Sequence, residues 1–267
     1  MNGTFSFGSY YPGDGVLHRL DPRTKLLLGF AFLIVALTVR SFAPLGVVAA
    51  FIAILYVLSG VPVGKAVRSL APLLAIVVIV ALLNLFTGTG GRTLFQLGFV
   101  RVTEGGVSSC VFTALRLTLM MAGMSLITMT TMTLDLTAAF ERLLAPFARF
   151  GLPAHELGMI LGIALRFIPQ FATELADTYR AQVSRGANLS RGPLGGIRML
   201  SSVTVPLFAS VFRHAETLSE AMDARCYHGE QGRNRLHPLR FQRRDAVAAG
   251  VFAAFAVLTL GVVFVTG

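Results

Sequence analysis

The stretch LAPLLAIVVIVALLNLFT, residues 70–87, decides the class of fold. Its 18 residues carry no charged side chain. A helix of that length spans about 27 Å, which is close to the roughly 30 Å hydrocarbon core of a bilayer. A chain inside that core must satisfy its backbone polar groups internally, and a helix does so. The stretch therefore predicts a membrane-spanning helix.

The composition of the whole chain agrees with a membrane protein. Of its 267 residues, 54% are hydrophobic and only 13% are charged, which is unlike a water-soluble globule. Further runs nearly free of charge cover residues 26–39, 43–58, 107–134 and 246–267. We therefore predict an all-α, polytopic membrane protein with about five transmembrane helices.

Polar residues in and beside these runs need an environment of their own. The run 26–39 is short for a bilayer, so Arg23 and Lys25 are expected to snorkel, unless the run forms a re-entrant hairpin with its neighbour. Arg116 and Asn84 lie inside predicted spans and should face protein or water. For Arg116, snorkelling to the outer interface is an equally good interpretation.

Basic residues indicate the orientation in the membrane. Arginine and lysine residues precede the first run, and Lys65 and Arg68 follow the second. By the positive-inside rule both groups are cytoplasmic. Alternation then places residues 133–244 inside, where 14 arginines face 9 acidic residues. We predict a multi-pass plasma-membrane protein with a cytoplasmic N-terminus.

The chain divides into three predicted regions. Residues 1–132 hold the N-terminal spans, residues 133–244 form a long cytoplasmic insert, and residues 245–267 form the last span. Apolar residues at helical spacing predict three amphipathic helices in the insert. The second ends at Gly186 and the third near Arg225. A turn between these two helices is expected at Arg191, Gly192, Pro193, Gly195 and Gly196.

The ends of the second and third helices are the candidate functional site. Their sequences are Ser184-Arg185-Gly186 and Ala224-Arg225-Cys226. A single arginine at a helix C-terminus needs no partner, since the helix dipole alone favours it. Two such tips, each beside small residues, favour docking to a soluble partner, because a guanidinium binds a carboxylate through two hydrogen bonds.

Other chemistry finds little support in the sequence. Residues 60–66 are one residue short of a phosphate-binding loop and lack its final Ser or Thr. Cys226, His228 and His237 have irregular spacing, so no metal site is predicted. Cys110 and Cys226 are expected on opposite sides of the membrane and cannot form a disulfide. Neither a catalytic site nor nucleic-acid binding is predicted.

Several motifs, kept in order from about Tyr11 to Arg235, carry a resemblance to a known family. They are Tyr11-Pro12-Gly13-Asp14, His18-Arg19-Leu20-Asp21-Pro22-Arg23-Thr24-Lys25-Leu26, Asn84-Leu85-Phe86, Ala164-Leu165-Arg166-Phe167-Ile168-Pro169, Ser184-Arg185-Gly186-Ala187 and Ala221-Met222-Asp223-Ala224-Arg225-Cys226-Tyr227-His228-Gly229. Together they resemble the transmembrane T component of energy-coupling factor vitamin transporters, of the type shared among substrates.

The resemblance implies a role, partners and site residues. The T component is a non-catalytic subunit that links two cytoplasmic ABC-type ATPases to a membrane-embedded substrate-binding S component. ATP is used by the ATPases, and the T component binds no cofactor. Its paired Ala-Arg-Gly motifs at the ends of coupling helices dock into the ATPases; here they fall on Arg185 and Arg225, with Ser184 replacing Ala and Cys226 replacing Gly.

Two alternatives remain open from the sequence. Within the family, a dedicated cobalt or nickel importer would use a similar T component. Outside it, an ATP-independent secondary transporter would need inverted repeats or broken helices with ionisable groups at the membrane midplane. Arg116 is the only candidate for such a group.

Overall fold

The computed structural model describes residues 10–13, 15–87, 93–97, 100–150, 153–186, 192–227, 229 and 241–266. Helices dominate the described chain, with one short β-hairpin between the third and fourth. In chain order the elements are α1 (Pro22–Thr38), α2 (Phe42–Ser59), α3 (Val63–Thr87), β1 (Thr93–Leu97), β2 (Val100–Thr103), α4 (Glu104–Thr130), α5 (Thr133–Leu144), a 3-10 helix (Ala145–Phe150), α6 (Ala154–Ser184), α7 (Gly192–Ala224) and α8 (Arg243–Thr266).

Five of the described helices, α2, α3, α4, α6 and α8, are long and apolar enough to cross a membrane. This confirms the predicted all-α, polytopic class. This set of five differs from the predicted set in one helix, because it contains α6 in place of α1. α1 has 17 residues and reaches about 25 Å, whereas α6, predicted as a cytoplasmic amphipathic helix, has 31. Its first half is apolar enough to bring α6 into the set, which helical periodicity alone did not reveal.

The chain forms two compact units, and Gly8–Ala139 with Pro238–Gly267 is the larger. In its described part α1, α2, α4 and α8 pack together, and α3 packs along α4. Phe51 and Phe255 stack with ring centroids 3.9 Å apart at the centre of this core. Gly123 of α4 allows α1 to approach closely, because a Cβ at this position would lie 2.5 Å from the Phe32 ring of α1.

The connection from α3 to α5 differs from the prediction at two points. An antiparallel hairpin of β1 and β2 lies between α3 and α4, where only an outer loop was expected. The predicted span 107–134 ends early, at Thr130, because the backbone of Thr131 is extended and α5 begins at Thr133. The Thr130 hydroxyl turns back to the carbonyl of Leu126 at 2.9 Å.

The second unit contains Phe140–His237, and α6 and α7 pack against each other within it. The predicted turn at Gly192, Pro193, Gly195 and Gly196 is wrong, because α7 already begins at Gly192. A proline in the first turn of a helix costs little, since the amide hydrogen it lacks would have no partner there. Arg191 lies outside the described residues.

Candidate functional site

The end of α6 carries the first predicted tip. Ser184 is the last helical residue, and its hydroxyl donates to the carbonyl of Arg180 at 3.0 Å. Arg185 is the C-cap, with its amide bonded to the carbonyl of Ala181 at 3.2 Å. Gly186 follows with φ +87°. This confirms the predicted end of the helix at Gly186, and glycine readily adopts the left-handed conformation found there.

The end of α7 repeats this geometry with a different residue in the left-handed position. Arg225 is again the first residue after the helix. Cys226 has φ +55°, the only positive φ of a non-glycine residue in the described chain. Its amide donates to Asp223 at 2.9 Å, and the amide of Tyr227 donates to Met222 at 3.1 Å. These two bonds define a Schellman motif.

The two tips are therefore equivalent in structure. In each, an arginine is the first residue after the helix, and a residue with a left-handed φ follows it, which is a common way for a helix to end. All six predicted site residues, Ser184, Arg185, Gly186, Ala224, Arg225 and Cys226, are exposed. The described structure thus presents two arginines in one type of cap. Each is open to a partner.

A polar cluster joins α6 to α7 near the middle of both helices. The Ser210 hydroxyl donates to Oε1 of Glu174, and Oε2 of Glu174 lies 3.6 Å from Nε2 of His214. Gln170 lies 3.4 Å from the same His214 nitrogen. We call Gln170, Glu174, Ser210 and His214 the clasp. Sequence reasoning missed it, although each helix supplies two polar residues spaced by four.

The clasp fixes the directions of the two helices. Gln170 contacts His214, and Glu174, four residues later in α6, contacts Ser210, four residues earlier in α7. Residue numbers therefore increase along α6 in the direction in which they decrease along α7. Tyr227 beyond α7 donates to the sulfur of Met159 near the start of α6, at 2.8 Å. The helices therefore run in opposite senses, and their arginine tips lie at opposite ends of the pair.

Spacing along the helices places both tips equally far from the clasp. Arg185 follows Glu174 by 11 residues, and Arg225 follows His214 by 11. At 1.5 Å per residue this is about 16 Å on each side. Each helix of the pair thus extends the same distance from the clasp to the arginine at its end.

A second polar cluster, in the larger unit, explains the His18–Lys25 motif. Asp245 accepts the amides of Asp21 and Gln242, each at 2.8 Å, and Lys25 donates to the carbonyl of Thr130 at 2.8 Å. Asp21, Lys25 and Asp245 are all buried. The cluster joins the start of α1, the end of α4 and the start of α8. The sequence offered no signal for Asp245.

This cluster corrects the expected snorkelling of Arg23 and Lys25. Lys25 is 6% exposed, because the carbonyl at the end of α4 holds its ammonium inside the protein. The Arg23 side chain is 14% exposed and lies 3.8 Å from Asp21 and 5.3 Å from the Phe241 ring. Both residues are held by protein groups and do not reach toward an interface.

The other polar positions also bond to protein. Arg116 donates to the carbonyl of Val39 at 3.4 Å and lies over the Phe112 ring, so it faces protein as predicted. Asn84 donates to the Val80 carbonyl of its own helix at 2.9 Å.

Cys110 and Cys226 are free thiols. His228 and His237, two of the three weak metal candidates, lie outside the described residues.

The fold and the site define a class: a multi-pass helical membrane protein with two antiparallel helices that are each followed by an exposed arginine. Residues 13–237 match the sequence profile of a family described as "Cobalt transport protein" (CbiQ). Curated relatives, each titled "Energy-coupling factor transporter transmembrane protein EcfT", also indicate a transport protein of the membrane.

Three of these relatives are similar to the chain over nearly its whole length. The protein of Thermosediminibacter oceani is 40% identical over 257 residues, covering 96% of both chains. That of Ruminiclostridium cellulolyticum is 38% identical over 94% of both chains. That of Acidaminococcus fermentans is 39% identical over 95% of this chain and 94% of its own. The chain belongs to the family of energy-coupling factor transporter transmembrane proteins.

Proposed function

We propose that this chain is the coupling subunit of an ATP-driven importer of the energy-coupling factor type. It would transmit the motion of two cytoplasmic ABC-type ATPases to a membrane-embedded substrate-binding subunit. The observation that carries the proposal is the equivalence of Arg185 and Arg225, two exposed caps at equal distances from one clasp. One soluble subunit would dock at each tip.

Arginine suits this contact for a chemical reason. Its planar guanidinium makes two parallel hydrogen bonds to one carboxylate, a geometry that lysine cannot copy. The left-handed residue after each arginine ends the helix there and leaves the arginine at its tip. A groove on a partner could therefore receive the guanidinium together with the helix end.

The clasp supplies the mechanical connection. When ATP binding and hydrolysis move the ATPases together and apart, each tip follows its own ATPase. Because α6 and α7 are joined at Glu174 and His214, displacement of the tips would pivot the helices about that point. Small shifts are amplified in this way when packed elements have discrete arrangements. This chain would bind no cofactor and catalyse no reaction, since ATP is used by its partners.

The substrate would be recognised by another chain. We infer a vitamin as the substrate class, because the curated relatives carry the same energy-coupling factor title as the family that the motifs resemble. The matching family's description, cobalt transport, favours a metal ion as the second candidate. In the orientation that the positive-inside rule predicts, the N-terminus and both tips would lie in the cytoplasm, where ATP is available. α6 would then not cross the membrane, although it is long and apolar enough to do so.

Affinity purification from detergent-solubilised native membranes tests the proposal. The wild-type chain should bring down two ABC-type ATPases, or two copies of one, together with a small membrane protein whose identity names the substrate class. Arg185→Glu combined with Arg225→Glu should lose the ATPases and keep the membrane protein. Arg180→Glu is the matched control, because that side chain is 78% exposed and only one turn from the α6 tip.

Two results would overturn the proposal. One is a wild-type chain that is purified alone, which would favour a self-contained transporter. The other is a double variant that retains its ATPases in full.

A further inference from the structure

An apolar groove of about 450 Å³ opens on the larger unit between α1, α2, α4 and α8. Its floor is formed by buried residues, among them Phe32, Ile52 and Leu126. Its rim is formed by more exposed ones, including Leu58 and Val251. The volume lies within the range of ligand sites in proteins. An apolar molecule, or the apolar part of a larger one, would fit it.

One end of the groove is basic. Arg243 and Arg244 line it where α8 begins, and both are exposed. From there Val247, Ala248 and Val251 continue the wall along α8. Arg243 and Val251 are separated by eight residues, or about 12 Å along the helix. The groove thus joins two cations to an apolar channel.

No acidic side chain in the described part of the chain neutralises the charges of Arg243 and Arg244. In the described part of the chain neither guanidinium has a carboxylate within ion-pair distance. Asp245, the nearest acidic residue in sequence, is buried and accepts backbone amides with both oxygens. Lys25 also lines the groove, but its ammonium already bonds to the Thr130 carbonyl.

The position of the arginines adds a second argument. Arg243 is the first residue of α8, where the helix dipole is positive and destabilises a cation. A bound anion would offset both the dipole and the two guanidinium charges, since helix N-termini favour anions. An occupant should therefore carry its negative charge at this end and its apolar part along the groove.

We propose that this groove binds one anionic phospholipid, with the phosphate at Arg243 and Arg244 and an acyl chain against Phe32, Leu126 and Val251. Guanidinium groups bind phosphate oxygens through paired hydrogen bonds. The predicted orientation places this end at the cytoplasmic leaflet, where anionic lipids concentrate. The site shares no residue with the arginine tips and does not rest on the coupling proposal.

Native mass spectrometry of the full-length chain, purified with its natural partners, tests the assignment. Phosphatidylglycerol and phosphatidylcholine are supplied in equal amounts. The chain should retain one phosphatidylglycerol and little phosphatidylcholine. Each arginine near an anionic surface contributes roughly a fivefold factor in affinity, so Arg243→Gln with Arg244→Gln should weaken retention roughly thirtyfold. Arg40→Gln with Arg68→Gln removes the same charge from exposed positions outside the groove and should change retention less than about twofold.

A second pair of variants tests the apolar part. Ala248→Trp fills the groove and should displace the lipid, whereas Ala249→Trp, at a neighbouring exposed position that does not line it, should not. Equal retention of the two lipids, or unchanged retention in the arginine double variant, would overturn the proposal. A photo-reactive residue at Val251 that cross-links to a protein partner would assign the groove to that partner instead.

Discussion

Glu174 on α6 and His214 on α7 lie 3.6 Å apart, side chain to side chain, and each is followed 11 residues later by a helix-capping arginine. The relationship gives the two helices a common centre and equal arms. Such symmetry is not required for packing, which Phe167 and Phe171 provide against the His214 ring in the same region. It is what a subunit needs if two partners are to act on it alike.

Weakening the clasp should reduce coupling and leave the stability of the fold nearly unchanged. Even a fully charged pair that is partly exposed contributes only roughly 0.2–1 kcal/mol, so Glu174→Gln should leave folding and subunit composition nearly unchanged. It keeps a hydrogen-bond acceptor for Ser210 and removes the charge that faces His214. Substrate imported per ATP hydrolysed, measured in proteoliposomes, should fall severalfold. Full import per ATP would show that the clasp does not transmit motion.

The left-handed backbone of Cys226 predicts a stabilising substitution. A non-glycine residue in this conformation costs roughly 1–2 kcal/mol, so Cys226→Gly should stabilise the end of α7 by about 1 kcal/mol. Hydrogen exchange of the amides of Cys226 and Tyr227, which form the cap, should slow accordingly. Cys226→Val is the control and should accelerate exchange. Equal exchange in all three proteins would contradict the observed φ.

The equivalence of the caps predicts matched losses at the two arginines. Arg185→Ala and Arg225→Ala should each weaken binding of one ATPase and leave the other in place. Quantitative mass spectrometry of the purified complex measures the ratio, which should fall from two ATPases per chain toward one in either single variant. Loss of both ATPases from one single variant would show that the tips do not act separately.

The buried Lys25 predicts a large effect on stability. Lys25→Met removes a charged donor and leaves the Thr130 carbonyl without it, which should cost about 2–3 kcal/mol. Lys65→Met is the control, because Lys65 is exposed and lies 4.1 Å from the Tyr11 ring. Its loss should cost less than about 1 kcal/mol. Thermal unfolding in detergent should rank the variants in that order. The reverse order would contradict an internal Lys25.

The sequence predicts those features that depend on local pattern. Charge-free runs located α2, α3, α4 and α8 but missed α6 as an apolar helix, and Gly186 located the end of α6. The helix start at Gly192 was missed, because a proline and three glycines resemble a turn unless the first-turn position of Pro193 is known. The clasp joins residues 36 to 44 positions apart, and the Asp21–Asp245 bond joins residues 224 positions apart. No local pattern in one sequence reports such contacts.

The most direct measurement of the coupling role is substrate uptake by the reconstituted complex in proteoliposomes, with ATP hydrolysis recorded in parallel. We expect Arg185→Glu with Arg225→Glu to abolish uptake, because both partner carboxylates would then meet a like charge. The Arg180→Glu control should retain most of the wild-type uptake. Uptake at the wild-type rate in the double variant would contradict the role assigned to the two arginine tips.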